Sequence, residues 1–79
     1  MATIDRIPLG NPTAQAHYEA SSLPQTAEWV AVVKAEAGYI MNRLGGRWSD
    51  CVAEAVRWLE AGDVSSPMAR ALMEDEVTA

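Results

Sequence analysis

Cysteine and histidine are scarce in this sequence, with one of each, Cys51 and His17, among 79 residues. A single cysteine excludes an internal disulfide, and two lone potential ligands so far apart argue against a structural zinc site. Small domains often depend on such cross-links, because a short chain buries too little surface to be stable through its core alone. We therefore expect no metal and no cofactor, and stability that comes from helix packing or from a partner.

Long hydrophobic runs are also missing. The longest, WVAVV, lies between Glu28 and Lys34 and is far too short to cross a bilayer. The first ten residues, MATIDRIPLG, lack the basic and apolar regions of a signal peptide. With one thiol that we expect to be reduced, these features predict a cytoplasmic protein with no membrane partner.

Basic residues are scarce: the chain has 6 Lys and Arg residues and 11 Asp and Glu residues, which gives a net charge of −5. Nucleic-acid binding depends on neutralising phosphates, so this balance argues against a nucleic-acid partner. Arginine outnumbers lysine and alanine is abundant, a composition typical of GC-rich coding genomes. We therefore expect a bacterial or phage origin, with the host cytoplasm or the virion as location.

The sequence contains strong α-helix signals, first over residues 22–44. Ser22 followed by Gln25 fits a capping box at the start, and Gly45 follows the last apolar residue at the end. Apolar side chains recur with the helical period in between. The predicted core stripe comprises Leu23, Val30, Val33, Ala37, Ile40, Met41 and Leu44.

Two further helices follow, over residues 49–61 and from Ser66 to about Glu76. The short GGRW connection predicts that the second helix runs antiparallel to the first. Its predicted inward face comprises Trp48, Val52, Ala55 and Leu59, with Cys51, Val56 and Trp58 beside them. The third helix, with proline as its first residue, would close the hairpin through Met68, Ala71 and Leu72.

Residues 1–21 form an N-terminal arm with few large aliphatic side chains. Asn11 followed by Pro12 could cap a short helix through TAQAHYEA, and AHYEASS as a short strand is the alternative. Such an arm is either mobile or laid along a neighbouring element. The expected fold is an all-α, three-helix domain (residues 22–79) built on an antiparallel hairpin, preceded by an extended or partly helical arm.

No residue pattern indicates an enzyme. Cys51 lies in the first turn of the second helix, where the helix dipole lowers a thiol pKa, but Asp50 and Glu54 oppose this effect. Its inward position predicts a packed, unreactive thiol, and His17 has no reason to reach it. Paired carboxylates fall on predicted exposed faces. The sequence therefore predicts no catalytic residues.

The first helix carries more apolar surface than one small core can use, because Val32 and Tyr39 lie opposite its core stripe. They are either scattered surface residues, or are covered by the arm or the third helix, or belong to a protein interface. We favour the interface, with these partner-binding residues: Trp29, Val32, Ala35, Glu36, Tyr39, Arg43 and Trp58. The predicted function is a non-catalytic accessory, assembly or inhibitory factor that binds another protein, or itself as a homo-oligomer.

The stretch GRWSDCVAEAVRWLEAG is similar to the second helix of ribbon-helix-helix regulators and antitoxins. Members often read Gly-Arg, a polar turn, Ser, an acidic residue and then apolar positions ending in Ala-x-Arg-x-Leu. The resemblance implies that Leu23-Pro24 is the turn before the first helix. It also implies a preceding strand whose base-facing side chains are Gln15, His17 and Glu19. The alternative function is thus a dimeric DNA-binding regulator or antitoxin.

Overall fold

Four α-helices make up the fold of the described residues. The computed structural model describes the backbone of residues 9–78 and the side chains of residues 9–74, so the first eight residues of the predicted arm lie outside it. Within this part the chain is all-helical and has no strand, which confirms the predicted all-α class. The helices are α1 (Pro12–Glu19), α2 (Ala27–Leu44), α3 (Trp48–Glu60) and α4 (Pro67–Thr78). α3 packs against α1 and α2, and α2 packs against α3 and α4.

α1 forms in the segment after Asn11, for which the sequence left a short helix and a short strand open. The Asn11 side chain accepts a hydrogen bond from the Ala14 amide at 2.8 Å, and Pro12 occupies the first turn, where a missing N–H costs nothing. The strand alternative for AHYEASS is wrong. Residues 9–19 supply three buried side chains to the core, Leu9, Ala14 and Tyr18.

The predicted start of α2 at Ser22 is wrong, because the segment before Thr26 is held by α1 and α3. The Tyr18 hydroxyl donates to the Pro24 carbonyl and accepts from the Thr26 amide. Gln25, expected in a capping box, donates instead to the backbone carbonyls of Tyr18 and Leu23, and Ser22 donates to a carboxylate of α3. Thr26 is the actual N-cap, and its side chain accepts a backbone N–H.

The α2–α3 junction lies close to its predicted position. α2 ends at Leu44, and Gly45 adopts a φ of 76°, a left-handed conformation that favours glycine. α3 begins at Trp48, one residue earlier than predicted, and its N-cap residue Arg47 makes no side-chain hydrogen bond. The predicted inward face of α3 is confirmed by its buried residues, Cys51, Val52, Ala55, Val56 and Leu59.

α4 begins where predicted but is rotated relative to the prediction. The Ser66 hydroxyl caps it by accepting from the Ala69 amide at 3.2 Å. The expected inward position of Met68 and Ala71 is wrong, because both are exposed while Ala69 is completely buried. Leu72 is half-buried against the core, as expected.

Candidate protein-binding groove

Two residues of the predicted partner-binding set are internal. Val32 is 1% exposed and Glu36 is 0% exposed, so the expectation that they face a partner is wrong. They lie one turn apart on the same face of α2, and Glu36 contacts the residues that start α4. The start of α4 therefore lies against α2 at Glu36.

The Glu36 carboxylate anchors the start of α4 across the fold. It accepts hydrogen bonds from the Ser66 amide at 2.9 Å and from the Ser65 amide at 3.1 Å. Amides at a helix start have no partner within the helix, and the dipole there favours negative charge. A buried carboxylate 30 residues away in sequence thus acts as a cap. Sequence reasoning missed this role, because only the packing of α4 on α2 makes the contact.

Trp29 and Ala35, two further residues of the predicted set, are half-buried at the margin of the core. Both pack against the buried cluster. Each therefore has a packing role, and neither lines the groove described next.

The remaining predicted residues, Tyr39, Arg43 and Trp58, lie together around an open hollow of about 260 Å³. The Arg43 guanidinium lies 5.5 Å from the centre of the Tyr39 ring and donates to its hydroxyl at 3.3 Å. This cation–π contact and hydrogen bond hold the arginine at the rim. We call this hollow the Trp58 groove; its lining residues are Tyr39, Ile40, Arg43, Leu44, Trp58 and Ser65.

Leu44 lines the Trp58 groove and is not part of the core, although the sequence predicts it in the core stripe. Leu44 is 73% exposed and Met41 is 41% exposed, so their predicted places in the core stripe are wrong. Both lie beyond Ile40, the last buried residue of α2. A periodicity argument extends a stripe to the end of its helix, whereas the neighbouring helices cover only part of that length.

A second hollow, of about 420 Å³, adjoins the Trp58 groove along the α3–α4 connection. Trp58 and Ser65 line both hollows. We call it the turn hollow; its lining residues are Trp58, Gly62, Asp63, Val64, Ser65 and Arg70. The Arg70 guanidinium donates to the Val64 carbonyl at 3.1 Å, which fixes its position at this end. Each hollow therefore contains one held arginine.

Cys51 lies in an environment that suppresses thiolate chemistry. It is buried, and its Sγ is 3.5 Å from the Gly45 carbonyl oxygen, to which the thiol donates. Burial, followed by the negative charges of Asp50 and Glu54, raises the pKa of the Cys51 thiol. The raised pKa keeps the thiol protonated to a greater extent than in a free cysteine at the same pH, as expected of a packed cysteine.

Native Cys51 is expected to react with iodoacetamide at pH 8 at least about a hundredfold more slowly than the same thiol in guanidinium-unfolded chain. Because folding raises the pKa, the unfolded chain releases its proton first as pH rises, so ionisation destabilises the fold above the unfolded pKa near 9. Mass spectrometry of the alkylated chain measures the rates. Equal rates would show an accessible, reactive thiol.

The geometry that a ribbon-helix-helix protein requires is absent from residues 9–78. Gln15, His17 and Glu19 lie on α1 and not on a strand. Gln15 donates to Glu19 and accepts from the Leu9 amide, so its side chain holds the local turn. The strand that the resemblance implies is therefore wrong, because its residues are helical.

No protein-family model matches the chain, and no curated protein or solved structure matches it. Among the described residues, no three His, Cys, Asp or Glu side chains are grouped to hold a metal ion. In the same part of the chain no helix has the length and apolar character needed to span a membrane.

Proposed function

We propose that this chain is a non-catalytic binding protein that docks another protein on the Trp58 groove. The observation that carries the proposal is the clustering of Tyr39, Arg43 and Trp58 around an open hollow, beside a leucine that is 73% exposed. Tryptophan, tyrosine and arginine dominate the energetic centres of protein interfaces. Tyr39 and Trp58 are half-buried and so already fixed, and little conformational entropy is lost when a partner covers them.

The proposed binding surface on the long helix α2 differs from the one that the sequence predicts. In this proposal the antiparallel hairpin of α2 and α3 is the scaffold, α1 packs against α3, and α4 packs against α2. The start of α4 is held against Glu36 of α2, and in this proposal a partner contacts the C-terminal part of α2 together with α3 and the α3–α4 connection. A substitution such as Val32→Glu would test folding and not binding, because its side chain is internal.

Partner capture with matched tryptophan variants tests the proposal. The wild-type chain, Trp58→Ala and Trp29→Ala are immobilised and exposed to lysate of the cells that encode the chain, and retained proteins are quantified by mass spectrometry. Both tryptophans are half-buried on the fold, but only Trp58 lines the groove. We expect a defined partner whose recovery falls at least about tenfold with Trp58→Ala and stays near wild type with Trp29→Ala.

The folded state of each variant is checked by circular dichroism before the comparison. A partner lost equally with both variants, or retained by Trp58→Ala, would contradict docking at the groove. Leu44→Asp provides a second test, because this side chain is largely exposed and its replacement leaves the core intact.

A further inference from the structure

The distribution of charge around the two hollows indicates which partner chemistry they fit. The chain has a net charge of −5, yet the charged side chains that line the hollows are Arg43, Arg70 and Asp63, a local excess of positive charge. Arg43 and Arg70 lie at different hollows that meet at Trp58. The surface thus alternates a cation, an aromatic ring and a second cation.

Each of the two arginines makes one hydrogen bond within the fold and has further N–H donors for a ligand. Arg43 donates to the Tyr39 hydroxyl and Arg70 donates to the Val64 carbonyl. A guanidinium has five N–H donors and binds carboxylates in a planar, two-pronged geometry. Each arginine therefore has N–H groups left for a carboxylate, and its position is set before a partner arrives.

We propose, on the basis of the binding function above, that the occupant is an acidic peptide segment of the partner protein. An apolar side chain of the segment packs on Trp58 and Leu44, and flanking carboxylates bind Arg43 and Arg70. A nucleic-acid backbone carries a negative charge on every nucleotide, so Asp63 in the turn hollow and the net negative charge of the chain oppose it more strongly than a segment whose two carboxylates each pair with an arginine. A second copy of the chain carries the same net negative charge, which also opposes self-association through this surface.

The test uses a random twelve-residue peptide library selected against the immobilised, full-length chain. We expect the enriched peptides to carry at least two acidic residues beside a large apolar residue. Affinities of the synthesised peptides are measured by fluorescence polarisation against the wild type and three variants: Trp58→Ala, the double variant Arg43→Glu with Arg70→Glu, and Lys34→Glu.

The double variant is expected to lose at least about tenfold in peptide affinity, because both carboxylate contacts become repulsive. Lys34 is exposed on α2 and lines neither hollow, so Lys34→Glu is a control with one charge reversal away from the groove, and its affinity is expected to stay within about twofold of wild type. Lysine-substituted forms of the peptides should bind the double variant better than the wild type. This exchange of preference cannot come from a variant that fails to fold.

The other outcomes distinguish failure of the acidic-peptide proposal from failure of the proposed binding function. Neutral or basic peptides that require Trp58 but ignore the arginine reversal would overturn the acidic occupant and leave the binding function intact. Peptides that bind Trp58→Ala as well as wild type, or no enrichment at all, would overturn both. A dT oligonucleotide that displaces the peptides with higher affinity would also overturn the proposal, as would a dimer that dissociates in the double variant.

Discussion

Val33→Asp is expected to abolish the folded state. Val33 is completely buried on α2, within the core cluster formed with α3. An unpaired carboxylate at this position costs more than about 4 kcal/mol, and a chain of this size has only about 4–12 kcal/mol of stability. Far-UV circular dichroism during heating should show a strongly lowered or absent transition.

Lys34→Asp is the matched control for this prediction, because it introduces the same residue one position further along α2, at an exposed site. We expect it to cost less than about 1 kcal/mol. Leu59→Asp, buried on α3, should behave like Val33→Asp. Wild-type melting of Val33→Asp would show that the assigned rotation of α2 is wrong.

Glu36→Ala is expected to lower the free energy of unfolding by about 2–4 kcal/mol. The substitution leaves the Ser65 and Ser66 amides without their acceptor, and bonds to a charged acceptor contribute roughly 1.5–3 kcal/mol each. It also removes the negative charge from the start of α4. Urea unfolding monitored by tryptophan fluorescence measures the loss.

Two further variants locate this effect at the α2–α4 contact. Glu36→Gln keeps one carbonyl acceptor and should recover part of the stability. Glu28→Ala removes an exposed carboxylate from the first turn of the same helix and should cost less than about 1 kcal/mol. Amide hydrogen exchange in Glu36→Ala should increase first along α4. Uniform protection across all four helices would show that Glu36 does not anchor α4.

Local signals in the sequence were sufficient for the helical class and for several helix ends. Asn11, Gly45 and Ser66 act at the positions where they were expected, because capping and chain reversal depend on neighbouring residues. Ser22 failed as a cap because a contact with α3, 38 residues away, satisfies its side chain and amide. Such long-range competition leaves no local pattern.

The candidate site could be predicted only in part, for a related reason. Tyr39, Arg43 and Trp58 were expected at one surface, and the structure brings them together around a hollow. Glu36 and Val32 look like members of the same surface because they lie about one and two turns before Tyr39 on α2. Whether α4 covers a given turn of α2 depends on how α4 is rotated about its axis and on how far it extends along α2. Periodicity along one helix cannot fix either quantity.

Trp29, Trp48 and Trp58 provide three indole N–H signals that report the docking site most directly. In ¹⁵N–¹H spectra of the full-length chain, titration with the captured partner should shift or broaden the Trp58 signal. The Trp48 signal should stay in place, because that indole donates to the Leu9 carbonyl inside the fold, and so should the Trp29 signal at the other end of α2. A titration that moves Trp29 while Trp58 stays unchanged would contradict the groove as the binding site.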